Sequence, residues 1–188
     1  MEATIIQGSE ICMSSIADNI TVIAQSPGLN SADVDVVVTI PTFKRPEHVL
    51  ETLASVRDQK TSRRFAVIVM DNHAEGLEGV GACKSLFESG DVPGVLIIAH
   101  DRGKCNAYNA GFLTALKMFP NFTSVLVIDD DEVADPNWLE KMCSTREKFG
   151  TDIVGGPQRP VFTKPEHKHF ANHPVFSQHN KKTGIVPI

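Results

Sequence analysis

Val36-Val37-Val38-Thr39-Ile40, followed at once by Pro41-Thr42-Phe43-Lys44-Arg45, decides the fold reading. An unbroken β-branched run, with no polar residue on alternate positions, marks a strand covered on both faces. Pro41 closes the run. Pro46 suits the first position of a helix, and Val49, Leu50, Leu53 and Val56 give that helix an apolar face. The same unit then repeats. Buried strands are predicted at 65–70, 95–99 and 125–128, with helices around 83–88 and 104–118, the latter turning Ala107, Leu113 and Leu116 inward. Asp135-Pro136 predicts a capped helix start, carried on by Trp138, Leu139 and Met142 and ended by Gly150. Ile153-Val154 reads as a short further strand. Strict alternation of strand and helix predicts an α/β fold: a mostly parallel central sheet with helices on both faces.

Outside that pattern the chain reads differently. Residues 1–33 are weakly patterned; Ile16, Ile20 and Ile23 suggest a short helical stripe broken by Ser26-Pro27-Gly28. They are expected to form a leader to a ligand-binding domain at 34–156. Residues 157–188, rich in Pro, His, Lys and Asn, are expected to be loop-rich, an incomplete extension of the sheet. His167, His169, His173 and His179 there lack acidic or thiol partners at ligand spacing and read as a polar loop.

The chain has 188 residues, 41% of them hydrophobic, and a net charge of -5. No apolar run reaches the roughly 20 residues of a membrane span, and no basic-then-apolar start marks a secretion signal. A cytoplasmic protein is expected, with peripheral association at the inner face of the membrane compatible with that reading. The absence of a basic stripe argues against a nucleic-acid partner. Cys12, Cys83, Cys105 and Cys143 stand at no metal-ligand spacing and read as reduced, buried thiols.

In a parallel sheet, ligands bind beyond the carboxyl ends of the strands. The predicted strands are followed by Pro41 to Arg45, by Asp71-Asn72, by Asp101-Arg102-Gly103, and by Asp129-Asp130-Asp131. One rim thus collects carboxylates and cations. Three adjacent carboxylates repel one another, which motivates a bound cation. Alternation in an extended segment would turn Asp129 and Asp131 towards one ligand and Asp130 away. Hard oxygen donors suit Mg²⁺ or Mn²⁺, both of which keep positions open for substrate phosphates. Gly103 permits a close backbone approach, with Arg102 and Lys104 near a phosphate.

These residues resemble glycosyltransferase family 2, with its GT-A fold, over about 36–162. Four motifs match in order: the opening strand and turn at Val38 to Arg45; Val67 to Asn72; the Gly103, Ala107, Asn109, Gly111 spacing; and Asp129-Asp130-Asp131 followed by Pro136 and Trp138-Leu139. Asp71 to Glu75 and Gly156 to Arg159 are similar to the bacterial exopolysaccharide branch, such as succinoglycan glucosyltransferases. The resemblance implies transfer of a sugar from a nucleotide-diphosphate sugar, usually a UDP-sugar, to a hydroxyl of a saccharide or lipid-linked saccharide, with inversion. It implies that Pro41, Thr42 and Asp71 hold the base. Arg45 and Arg102 would lie near ribose or phosphate, and Phe43, Asn72, Gly103, Asn109 and Asp130 would help to line the donor site. Asp129 would meet ribose or a metal-bound water, and Asp131 would ligate the Mn²⁺ or Mg²⁺, with Asp129 as the second metal residue.

The family's later acidic pair has no match after Gly156, where Glu166 is the only carboxylate. No catalytic base is therefore assigned, and the chain reads as truncated. A non-catalytic nucleotide-sugar-binding fragment is one alternative. A haloacid-dehalogenase-type phosphatase, suggested by Asp129-x-Asp131-x-Val133, is another, although its motif normally opens the domain. A nucleotidyltransferase lacks its Gly-rich first loop here.

Overall fold

The computed structural model describes residues 15–162 and 164–173. Six strands form one sheet: β1 (Ser15–Ala17), β2 (Ile20–Gln25), β3 (Val36–Thr42), β4 (Phe65–Asp71), β5 (Gly94–Ala99) and β6 (Ser124–Val127), in the order β1-β2-β5-β4-β3-β6. The block β5-β4-β3-β6 is parallel, and β2 joins β5 antiparallel, as β1 joins β2. Among the described residues four α-helices accompany it: α1 (Pro46–Arg57), α2 (Glu78–Glu88), α3 (Lys104–Met118) and α4 (Trp138–Phe149). The chain divides into two compact units between Leu139 and Glu140. The second holds most of α4, a linking stretch and a 3₁₀ segment, Pro165–Asn172, in which the rings of His167 and His169 pack on Phe170.

The continuous apolar runs form the centre of the sheet, as their composition predicts. Every residue from Val36 to Ile40 and from Ala66 to Asp71 is buried. Alternation along β4 sends Met70 to one face and Asp71 to the other. A Cβ on Gly111 of α3 would lie 2.9 Å from the Met70 sulfur, and one on Gly79 of α2 would lie 2.6 Å from Thr42 and 3.0 Å from Asp71. Helix α3 therefore covers one face and α2, with α1 packed against it, the other.

Several expectations are corrected. The isoleucine stripe at 16–23 forms strands, not a helix; Ile20, Val22 and Ala24 are buried with a period of two, which fits a sheet pleat. The 125–128 strand is an edge strand over Ser124–Val127, with Val127 44% exposed. On α3, Leu113 and Leu116 point outward, while Ala107, Ala110, Gly111, Thr114 and Ala115 are buried. The helix lies so close to Met70 that only small side chains fit beneath it. On α1, Leu50 is exposed and Thr52 takes the buried place. Asp135-Pro136 makes a turn, and α4 starts at Trp138. No strand forms at Ile153, which is 84% exposed. Cys83 and Cys143 are buried, as expected, but Cys105 is exposed; burial pushes the Cys83 thiol up to about 12. Cys12 and His179 lie outside the described residues.

Gly94 opens β5 with φ +143°, and a Cβ there would lie 1.9 Å from the Val67 carbonyl oxygen. Gly94→Ala is expected to destabilise the fold by more than about 3 kcal/mol in urea denaturation. Gly81, in α2 with open space around it, provides the contrast: Gly81→Ala should stabilise by about 0.5–1 kcal/mol.

Candidate active site

The parallel block reverses direction of growth at β3: the chain adds β4 and β5 on one side, then returns to add β6 on the other. Such a switch point opens a crevice between the strand tips. A cavity of about 460 Å³ lies there, lined by Pro41, Thr42, Phe43, Arg45, Asn72, Arg102, Gly103, Lys104, Ala107, Asp129, Asp130 and Asp131.

From β3, Thr42 leads into a turn in which Lys44 has φ 57°, a left-handed conformation uncommon outside glycine. That turn delivers Phe43 to the cavity and Arg45 to the start of α1. The Arg102 guanidinium stands 5.0 Å from the Phe43 ring centre, and the His73 ring meets the Phe43 ring edge-on at 5.2 Å. His73 is paired with Glu78, whose carboxyl the His73 hydrogen bond holds below its ordinary range.

At β6 the three aspartates do not alternate, because the strand has already ended. Residues 129–132 form a turn, with Glu132 N donating to the Asp129 carbonyl at 3.2 Å. Thr52 of α1 braces it: its Oγ1 lies 2.8 Å from the Asp130 carbonyl oxygen and 2.7 Å from that of Glu132. Asp130 does not face away from the rim. It is buried, accepting from Thr42 Oγ1 at 2.9 Å and from Arg45 at 3.2 Å. The same Arg45 nitrogen donates to Asp131 at 2.8 Å, and the charges of Asp130 and then Asp131 raise the Arg45 pKa. Asp129 accepts from Lys104 Nζ at 2.8 Å on one oxygen and from the Tyr108 hydroxyl on the other. Burial pushes the Asp129 carboxyl up, but the Lys104 and Tyr108 hydrogen bonds outweigh it and hold it below the usual range. Tyr108 is raised by burial and then by its bond to Asp129. Carboxylate repulsion within the triplet is thus answered by the protein's own cations: Arg45 pairs with Asp130 and Asp131, and Lys104 with Asp129.

Two residues expected in the site stand elsewhere. Asp71 is fully buried outside the lining; its carboxylate accepts from His73 N and Val80 N, both at 2.9 Å, and so ties down the start of α2. Its neighbour Asn72 faces the cavity instead. Asn72 Nδ2 donates to the carbonyls of Ala99 and Asp101, and its Oδ1 accepts from Gly103 N at 2.8 Å. Asn109 is exposed on α3 and outside the lining. Tyr108 carries no motif of its own in the sequence, and Lys104 is expected there only as a cation near phosphate. Their spacing of four on a helix starting at a strand tip was the available signal. Among the described residues, no three His, Cys, Asp or Glu side chains converge as a ready-made metal cage. Asp131, half-exposed with Oδ1 unpartnered among the described residues, is the carboxylate open to a ligand.

Residues 37–186 match the family model described as glycosyl transferase family 2. The chain is 31% identical over 136 residues to the glucosyl-dolichyl phosphate glucuronosyltransferase of Haloferax volcanii, an alignment covering 71% of this chain and 41% of that protein. The chain therefore spans about two fifths of the length of this curated relative. Among solved structures it is similar to a mannosyltransferase from Pyrobaculum calidifontis in complex with GDP-Man and Mn²⁺, at 20% identity and TM-score 0.49, over 73% of this chain and 38% of that one. It is also similar to S. aureus TarS 1–349 in complex with UDP-GlcNAc, at 17% identity and TM-score 0.48, over 70% and 39%.

Asp130 and Asp131 should respond differently to truncation. Asp130→Ala leaves the buried Thr42 hydroxyl without its acceptor and is expected to cost about 1–3 kcal/mol. Asp131→Ala removes a half-exposed pair and should stay within about 0.5 kcal/mol. Guanidinium denaturation of both variants reads the difference; equal losses would refute the division.

Proposed function

The chain belongs to glycosyl transferase family 2, and from that premise we propose that its cavity binds a nucleoside-diphosphate sugar, a UDP-sugar first among them, for transfer to an acceptor hydroxyl with inversion. The observation that carries this reading is the joining of Thr42, Phe43, Arg45, Arg102, Lys104 and the aspartate turn in one cavity at the switch point of the sheet. Phe43 offers a flat apolar surface for a base, and the edge of Pro41 and Thr42 lies beside it. Arg102 and Lys104 supply charge for a diphosphate. Asp71 caps α2, so Asn72 is the better candidate for the base end. Asp129, held by Lys104 and Tyr108, would meet the ribose.

The residues fit a divalent ion through the chemistry of one donor. Mg²⁺ and Mn²⁺ are commonly held by one or two carboxylates plus substrate phosphates, and Asp131 presents an open oxygen to the cavity. Asp129, with both oxygens engaged, is the weaker ligand. When bound, the ion would offset charge growing on the leaving diphosphate. The protein's part is to orient the donor, with Arg45 and Lys104 as additional cations near the bond that breaks as the acceptor oxygen attacks the sugar carbon.

Among the described residues, the lining holds no carboxylate beyond Asp129, Asp130 and Asp131, so no general base is assigned. That supports donor binding without turnover as the second reading for this chain. A saccharide carried on a lipid phosphate is the favoured acceptor class, by analogy with the archaeal relative's glucosyl-dolichyl phosphate. No helix among the described residues is long and apolar enough to cross a membrane, and association with a membrane-borne acceptor would be peripheral. Family membership displaces the phosphatase alternative.

Calorimetry with UDP-glucose tests the reading. Binding should be measurable with Mn²⁺ and fall by about tenfold or more with chelator or in Asp131→Ala, a change of roughly 1.4 kcal/mol. GDP-mannose should bind more weakly. Indifference to chelator would remove the metal from the assignment.

A further inference from the structure

Lys104 occupies a place that helix electrostatics disfavour. It is the first residue of α3, directly after Gly103, and the first turn contains no acid. A cation there meets the positive end of the helix dipole. Departures from local preference with no evident structural gain concentrate at functional sites. What offsets the cost is Asp129, 2.8 Å from Lys104 Nζ. One turn later Tyr108 takes the other Asp129 oxygen, so two positions on one face of α3 clip a single carboxylate. The Lys104 side chain is 65% exposed and lines the cavity, so it can leave Asp129 without repacking the core.

The charges in the lining set the consequence. With Arg45 paired to Asp130 and Asp131 and Lys104 to Asp129, a divalent ion entering alone would meet carboxylates already paired and the repulsion of Lys104 and Arg45. An ion arriving with a diphosphate brings its own counter-charge, and the diphosphate offers Lys104 another anion.

We propose that Lys104 is a displaceable counter-ion, holding Asp129 in the donor-free site and passing to the diphosphate as it enters, so that the divalent ion and the nucleotide bind as a mutually dependent pair. This rests on the donor-site reading above. Lys104 is a positioning residue for the ion through Asp129 and a direct contact only for the diphosphate.

The test is calorimetric titration of Mn²⁺, with and without UDP, into the wild type, Lys104→Met and Lys104→Arg. Wild type should bind Mn²⁺ alone at least about tenfold more weakly than with saturating UDP. In Lys104→Met, Mn²⁺ alone should tighten by about tenfold while UDP in the presence of Mn²⁺ weakens by a similar factor, the size expected for one close, partly screened charge pair. Lys104→Arg keeps the charge and should keep wild-type behaviour, which a purely steric role for Lys104 would not give. Mn²⁺ binding that is unchanged or weaker in Lys104→Met overturns the proposal. Failure of the wild type to bind UDP under any condition would instead remove the donor-site reading, and the ion titration alone would still decide whether Lys104 guards Asp129.

Discussion

The buried carboxylate of Asp130 joins the two strand tips on which the cavity depends. It accepts from Thr42 at the end of β3 and from Arg45 at the start of α1, while its own carbonyl lies against Thr52 within α1. A buried charge is tolerable only when paired and hydrogen-bonded, and here the partners come from the two elements that flank the switch point. The middle aspartate thereby does structural work that leaves its neighbours available: Asp129 towards α3, Asp131 towards the open cavity. A triplet that looks like redundant acid in one dimension separates into three environments in space.

The pairing also alters how the acidic turn is understood. Repulsion among adjacent carboxylates calls for a counter-charge, and the protein supplies it: Arg45 bridges two of them and Lys104 holds the third. The site is therefore stable in charge before any ligand arrives. Its electrostatics favour an incoming group that is itself nearly neutral overall, such as an ion accompanied by a diphosphate, over a bare anion or cation.

Much of this architecture was legible in the chain. The β-branched run of β3, Pro46 at the start of α1 and the span of α3 follow from local rules, and the aspartate turn was placed at the right strand tip. What escaped was set by tertiary distance. The leucines of α3 fit a helical stripe, but the close approach at Gly111 and Met70 admits only small residues and reverses the face. Alternation failed at Asp129 to Asp131 because the backbone turns there. Asp71 and Asn72 are adjacent, so pleating sends one into the α2 start and the other into the cavity; sequence gave no means to choose between them. The β2 strand, short and bounded by turns, acquires its identity only by pairing with β5.

Asn72 gives the site a mechanical unity that its separate loops would not suggest. One amide grips the backbone at Ala99, Asp101 and Gly103, and Gly103 is where α3 begins. The tip of β4, the loop after β5 and the first turn of α3 are consequently tied together through one side chain. Truncating that amide would strip a partner from two carbonyls and one backbone N–H at once, loosening the loop that presents Arg102 and the helix start that presents Lys104 in a single substitution.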